Sequence, residues 1–458
     1  MNKETRVQNI EKTMKLGSFA QKEVMWGDSL DVMQVYKIPL KDLIYNKYNG
    51  RILSKTKSLE AQNKELNPED TDDKKIIEKL LWDSKPDRNK KTEQDIRTNG
   101  QKQVGIITKD GIIIDGNRRA MLLNRIDHID HFKTVVLPVT LEENPLAIEK
   151  LETSYQMGED EKLGYNPIEK YLKAKTLRQK NVSEKDISNW MGESQATIKE
   201  YLSVMQTMDN YLDYLGYNDV YTQLYNREDQ LINLTKWLKV FRGESSAKAF
   251  DGYQNRDVDD LEAISFDYIR VKFEGKKFRN IAHGQRHNHF FGNRNIWESF
   301  KAKHEENIYP ISDQEGEPNL DTNNIQATLN DRDDQFKSAT IELLDENIDE
   351  HYNQLKYKQA QDEPEKLIKN ASRAIESINI RSGNFDNDDV LDSLNKLRGK
   401  ITAMINTSSN LPTLHHVLDV LSNIDLDVAD DNKNDLLGCI KSISKKAYEL
   451  EKFAKQKS

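Results

Sequence analysis

The chain has 458 residues, 32% of them charged and 36% hydrophobic, and 68 Lys and Arg against 77 Asp and Glu give a formal net charge of -9. That length exceeds one typical domain and implies two to four, and the acidic balance excludes a protein that coats nucleic acid over its whole surface while allowing a local basic face. One cysteine, Cys439, excludes a disulfide framework or a Cys-based zinc site within one chain and points to a reducing compartment.

Residues 1–33 are polar and lack the apolar run of a signal peptide, so they read as an N-terminal arm of a cytoplasmic protein. No stretch reaches the roughly 18 apolar residues a membrane span needs, and no membrane partner is expected. Residues 34–142 read as a mixed α+β domain. Val35–Leu43 predicts a strand followed by a turn of helix. Residues 54–95, rich in Lys, Asp, Glu and Asn, read as a flexible insert holding one short helix at Ile76, Ile77, Leu80 and Leu81. Gln103–Thr108 and Gly111–Asp115 form apolar runs on either side of Lys109 and Asp110, which predicts a hairpin. Val135–Leu141 predicts another strand, with Pro138 suggesting a sheet edge.

The first chemical signal is Ile112–Ile126, IIIDGNRRAMLLNRI. Three β-branched residues enter an Asp-Gly pair, and two arginines follow on a new helix. Gly116 allows a sharp turn and close approach of a ligand. Arg118 and Arg119 add guanidinium forks that match phosphate oxygens. Read alone, the motif fits a phosphate cradle or an ordinary turn with solvated arginines.

Further motifs widen the pattern. IPLKDLIYNKYNGRI (38–52) contains a strand and an Asn/Arg loop, GQKQVGIIT (100–108) leads into a β-run, and LETSYQMGEDEKLGYNPIEKYLKAKTL (151–177) is an acidic, Gln-containing helix leading to Asn-Pro-x-Glu. In this order, with IDGNRRAMLL between them, they resemble the boxes of the ParB/sulfiredoxin-like N-terminal domain over roughly residues 35–210. The resemblance implies a nucleoside triphosphate ligand, CTP or ATP with Mg²⁺. It implies phosphate contacts at Gly116, Asn117, Arg118 and Arg119, a contribution from Asn49 and Arg51, and third-box roles for Glu152 and Gln156. Glu152 is the one candidate toward a metal. Asn117 stands where the family has Glu, Thr153 where it has Asn and Met157 where it has Arg, departures that separate phosphate binding from CTPase or other NTPase activity.

Residues 143–240 read as helical, with a helix-turn-helix at 183–205. Ser183 is an N-cap candidate, Ile187, Met191 and Ile198 are core positions, and Gly192 takes the turn. Ser194, Gln195, Thr197 and Lys199 then face outward where a second helix can reach DNA. The alternative reading is a helical hairpin with a glycine C-cap. Its position after the third box matches ParB proteins.

Residues 241–310 hold Arg270, Lys272, Lys276, Lys277, Arg279, Arg286 and Arg294 interleaved with Phe273, Phe278, Phe290 and Phe291. This fits an added nucleic-acid surface or a packed domain with a solvated basic face. His283, His287 and His289 have one helical step of metal-ligand spacing but no carboxylate to complete a set. Residues 325–458 read as helices, with a stripe at Leu391, Leu394, Leu397, Ile401 and Met404 suited to core or oligomer packing.

The expected whole is an α+β ParB/Srx-like domain followed by all-α helix-turn-helix and C-terminal modules. The expected function is a nucleotide-regulated, nucleoid-associated DNA-binding protein for partition, maintenance or regulation. It would dimerise through its C-terminal region and work with a ParA-like ATPase or a defence-system partner. The alternative is a nuclease or NTPase component of a DNA modification or anti-phage system.

Overall fold

The computed structural model describes residues 1–62, 64–158, 166–243, 245–318, 324–361, 363–382, 385, 388–408 and 433–457. Residues 159–165 of the third box and 409–432 of the C-terminal region lie outside them. The chain divides into Met1–Asp362 and Glu363–Ser458. No helix among the described residues is long and apolar enough to cross a membrane.

The first unit opens with α1 (Lys3–Lys15), β1 (Ala20–Trp26) and β2 (Ser29–Pro39). The expected polar arm is therefore helix and hairpin. Its sequence hides this because only Arg6 and Ile10 of α1 are buried, and β1 alternates exposed polar residues with a buried Val24. Arg6 donates from Nε to the Asp110 carbonyl at 2.6 Å, tying α1 to the turn between the next two strands.

The segment 54–95 is likewise built of helices: α2 (Leu53–Glu60), α3 (Thr71–Asp83) and α4 (Pro86–Asn99). Asp70 caps α3 by accepting from the amides of Asp72 and Asp73, and Pro86 starts α4 at a position where no amide is needed. Ile77, Leu81 and Ile96 are buried. The expected single helix is α3; α2 and α4 show too few apolar positions for periodicity to reveal them.

Then come β3 (Gly105–Ile107), β4 (Ile113–Asp115), α5 (Asn117–Leu123) and β5 (His131–Val136). The sheet order is β1-β2-β5-β3-β4. β3 pairs antiparallel with β4 and parallel with β5, as the hairpin expectation requires. β5 lies between β2 and β3 rather than at an edge. It ends at Val136, so Pro138 sits beyond the ladder.

Alternate strand residues face opposite sides of this sheet. Ile107, Ile113 and Phe132 join the α1, α3 and α5 side. Ile106, Ile114 and Val135 join the side covered by Ile148 and Leu151 of α6 (Pro145–Gly158). Phe132 also presses on the turn before α5. A Cβ built on Gly105 would lie 2.2 Å from Phe132 Cζ, and one on Gly116 2.7 Å from it.

All-helical structure follows: α7 (Pro167–Gln179), α8 (Glu184–Met191), α9 (Gln195–Tyr214), α10 (Glu228–Phe241), α11 (Asn255–Arg270), α12 (Gly275–Phe278), α13 (Arg294–Asn307), α14 (Tyr309–Gln314) and α15 (Ile325–Gln359). One core runs from α7 through α15. Residues 241–310 are therefore not a separate region, and α15 belongs to the first unit rather than to a C-terminal module. Phe273, Phe278, Phe290 and Phe291 are all buried in this core. Lys277 reaches Asp345 at 2.6 Å and Arg286 reaches Asp251 at 2.6 Å. The interleaved aromatics are core residues, and these cations have carboxylate partners. His289 is buried, and burial pushes its imidazole down to about 4, while His283 and His287 are exposed. Among the described residues the three are not placed to hold a metal ion together.

The polar centre of this core is Asp333. It accepts from Arg227 Nη2 at 2.6 Å, Arg270 Nε at 2.9 Å and the Tyr217 hydroxyl at 2.8 Å. Both arginine side chains are under 5% exposed. Three donors satisfy a carboxylate whose burial would otherwise be prohibitive. The second unit holds α16 (Pro364–Glu376), α17 (Asp388–Ser408) and α18 (Lys433–Lys457) among its described residues. Ile368 on α16 and Leu391, Ile401 and Met404 on α17 are exposed.

Replacing Asp333 with Ala takes from buried Arg227 the carboxylate it pairs with and from buried Arg270 one of two, Glu315 remaining. The expected loss is about 3–5 kcal/mol of stability in denaturant unfolding; a loss under about 1 kcal/mol would show that the arginines relax to other partners.

Candidate phosphate-binding site and helix-turn-helix

β4 delivers Asp115 to the turn, Gly116 adopts φ +103°, and α5 begins at Asn117. Positive φ and the closeness of Phe132 both require glycine here. The side chains that follow diverge in role. Asn117 turns inward, accepting from Asn46 N at 2.9 Å and donating to the Ile113 carbonyl at 3.0 Å. It clamps the 46–51 loop to β4 and also lines the cavity that Arg118 and Arg119 border. Arg118 and Arg119 border a cavity of about 100 Å³ together with Asn49, Arg51, Gln103, Tyr155 and Gln156.

Arg119 donates from Nη2 to Gln103 Oε1 at 2.9 Å, with Asp115 Oδ2 3.9 Å from Nη1. Nη1 is a buried nitrogen without a hydrogen-bond acceptor. Such a donor is costly unless a ligand satisfies it. The cavity is below the usual 300–1,000 Å³ of a drug-sized ligand, and a phosphate group is on its scale.

Glu152 and Gln156 lie four apart on α6, and both are buried. Gln156 Nε2 donates to Glu152 Oε1 at 2.7 Å, and its Oε1 accepts from Gly50 N at 3.2 Å. Asn46 Nδ2 donates to the same Glu152 oxygen at 3.0 Å. Lys173 Nζ lies 3.7 Å from Glu152 Oε2 and 2.5 Å from Glu149. Burial pushes the Glu152 carboxyl up. Its oxygens are committed to protein donors, so the expected metal role is not the one this geometry serves. Asn49 Oδ1 accepts from Arg51 N at 3.2 Å, an Asx-type turn that aims the arginine.

Sequence patterns missed Tyr155 and Gln103 as cavity residues and missed the anchor behind Arg51. Glu169, the last residue of Asn-Pro-x-Glu, accepts from Ser54 N at 3.0 Å and from Ser54 Oγ at 2.5 Å. It caps α2, whose own Ile52 offers no side-chain cap. Tyr225 OH lies 2.7 Å from Ser54 Oγ. Burial pushes the Glu169 carboxyl up to about 7.

α8 and α9 are two helices joined by a short turn at 192–194, in the segment the sequence assigns to a helix-turn-helix. Ser183 accepts from Asp186 N, Gly192 turns with φ +68°, and Ser188 Oγ donates to the Glu193 carbonyl at 2.6 Å. Ile187, Met191 and Ile198 are buried together with Ala174 and Leu177 of α7. Ser194 is the N-cap of α9, accepting from Thr197 N at 3.0 Å, and the two hydroxyls lie 2.8 Å apart. Those two candidates serve the cap. Gln195 and Lys199 are exposed; Lys199 Nζ lies 3.9 Å from Glu184. Among the described residues no group of three or more His, Cys, Asp or Glu is placed to hold a metal.

The Glu169 carboxyl has a folded-state value above its unfolded one. Protonation therefore favours the fold. The stability it allows is full below the unfolded value near 4.5 and is lost as pH rises through about 7, a swing of about 3 kcal/mol. Glu169→Gln should melt increasingly above wild type as pH goes from about 5 to about 8; a constant difference in melting temperature would refute the assignment. In sequence comparisons no protein-family model and no curated protein matches this chain.

Proposed function

We propose that the chain is a ParB-like, DNA-associated protein in which phosphate binding at Arg118 and Arg119 regulates DNA binding through α8 and α9. The observation that carries this reading is the convergence of Arg51, Arg118 and Arg119 on one cavity with a buried, unsatisfied Arg119 nitrogen. An anion of phosphate size supplies the missing acceptor, and two further guanidiniums face its charge. Gly116, required by its positive φ and by the packing of Phe132, sets the sharp turn from which Arg118 and Arg119 follow. These residues fit the phosphates of a nucleoside triphosphate such as CTP or ATP. Glu152 does not fit as a Mg²⁺ ligand, and nucleotide hydrolysis is no part of the proposal.

A route from the cavity to α8 and α9 supports the regulatory half. Gln156 and Glu152 fasten the 46–51 loop to α6, and Lys173 on α7 reaches Glu149 and Glu152. Residues of α7 then pack into the core of the helix-turn-helix. A shift of the loop on ligand binding would be felt at α7 through contacts that have few alternative partners. Exposed apolar residues of α16 and α17 support self-association through the second unit.

Calorimetry with CTP, ATP and GTP tests the binding site. Arg118→Ala with Arg119→Ala should lower nucleotide affinity at least ten-fold, since each charged hydrogen bond contributes about 1.5–3 kcal/mol. Unchanged affinity for every nucleotide would end the phosphate reading. For DNA, Gln195→Ala with Lys199→Ala should weaken binding by roughly ten-fold or more and reduce the salt slope by about one. Equal affinity and slope would assign α8 and α9 a packing role only.

A further inference from the structure

A cavity of about 350 Å³ lies at the ends of α9 and α11, beside α14. None of its lining residues belongs to the phosphate cavity or to the 183–205 segment. Tyr214 and Leu215 close α9, and Asp267 and Arg270 sit in the last turn of α11. Tyr309 and Asp313 come from α14, Glu315 follows it, and Arg332 reaches in from α15. Two long helices thus end at the cavity, and the carbonyl end of a helix favours positive charge. The volume falls within the range of about 300–1,000 Å³ usual for small-molecule sites.

Asp267, Asp313 and Glu315 set three carboxylates at the wall against the guanidiniums of Arg270 and Arg332. Arg270 is taken up by Asp333 at 2.9 Å and by both oxygens of Glu315 at 2.7 and 3.1 Å. Arg332 donates to the Leu215 and Gly316 carbonyls at 3.2 and 3.0 Å, with Glu315 3.4 Å away. Asp267 is 1% exposed, accepts from the Tyr214 hydroxyl at 3.1 Å and meets His304 Nε2 at 3.0 Å. His304 is fully buried, and its Nδ1 has no hydrogen-bond partner. A protonated ring would strand that N–H, so the geometry fits a neutral imidazole donating from Nε2. This leaves Asp267 as a carboxylate paired with no lysine or arginine among the described residues. Asp313 is exposed and forms no ion pair among the described residues. Burial and the carboxylates of Asp267, Glu305 and Asp260 hold the Tyr309 hydroxyl above its ordinary value. Arg332 Nε and Ser312 Oγ are buried without a partner, and an oxygen on a ligand would serve them.

We propose that this cavity binds a small organic cation, an ammonium or guanidinium head on a chain that bears an oxygen. Asp267 and Asp313 accept from the head, and the rings of Tyr214 and Tyr309 border its charge. Among the described residues no carboxylates are grouped to hold a metal ion, which sets an organic cation apart from an inorganic one. The site shares no residue with the phosphate cavity and stands or falls apart from it.

The test titrates the full chain with 4-aminobutan-1-ol and 4-guanidinobutan-1-ol, followed by ligand-observed NMR, with butane-1,4-diol as the uncharged control. Wild type should bind one or both cations, and the diol at least about ten-fold more weakly. Asp267→Asn keeps an acceptor for His304 and Tyr214 and should weaken the cation about ten-fold. Asp313→Asn should weaken it by a smaller factor, about three-fold, because solvent screens an exposed carboxylate. Since Asp313 is exposed, its variant reads the site even where Asp267→Asn fails to fold. A preference for one head group over the other identifies the ligand as an amine or a guanidine. Absence of binding by both cations, equal affinity for the diol, or cation affinity unchanged in the Asp313 variant overturns the proposal.

Discussion

Glu152 is a carboxylate taken out of water, and the arrangement around it is what the cavity depends on. An isolated buried carboxylate costs several kcal/mol, and it persists only when donors replace its hydration. Here the donors are Asn46, Gln156 and the more distant Lys173. They come from a loop after β2, from α6 itself and from α7, more than a hundred residues apart at the extremes. Because each is needed to satisfy the charge, each segment is held where it can reach. The 46–51 loop is thereby pinned, and Arg51 comes to the cavity through an Asx turn. Asn117 performs the matching task at the other wall. Its two hydrogen bonds join the same loop to β4 and leave Arg118 and Arg119 to face the cavity.

The same logic of shared elements links this region to α8 and α9. α7 gives Ile168, Tyr171 and Leu172 to the large helical core and Ala174 and Leu177 to the smaller one around Ile187 and Ile198. α9 divides in the same way, with Ile198 in the smaller core and Val204 to Leu212 in the larger. A helix buried at both ends in different cores has little freedom to rotate in one without disturbing the other. The turn at Gly192 is thus presented by rigid elements. Side chains mounted on such elements hold their geometry better than side chains on a loop.

What the sequence revealed follows from where the signals are local. The hairpin around Lys109 and Asp110, the turn at Gly116 and the cap Ser183 each depend on a few adjacent residues, and all lie where those residues place them. α1, β1 and α2 were illegible because their buried faces are small and polar: Arg6, Ser54, Thr56 and Ser58 are inside. Side chains such as these carry no hydrophobic period, and long-range hydrogen bonds decide their burial. The aromatics between Phe273 and Phe291 misled in the opposite direction. Their basic neighbours suggested a surface, whereas Arg270 is itself buried and paired with Asp333 and Glu315. Composition cannot tell a solvated arginine from one neutralised by a carboxylate some sixty residues away.

The role of individual site residues was the least legible part, and the reason is chemical. Asn, Gln and Glu in a box can contact a ligand or hold the loop that does, and the residue types are the same in both cases. In this chain Asn117, Glu152 and Gln156 spend side-chain polar atoms on the protein, although Asn117 and Gln156 also line the cavity, while the arginines border it and Arg119 retains a buried nitrogen without an acceptor. Binding a phosphate needs the second group of residues. Hydrolysing one needs a carboxylate or metal directed at the reacting atoms, and the carboxylate the motif supplies is already enclosed by three donors. The proposed site is accordingly one for binding a phosphate rather than for hydrolysing one. Contacts run from Gly50 through Gln156 and Glu152 to Lys173, so the loop at this cavity and α7 share one polar chain.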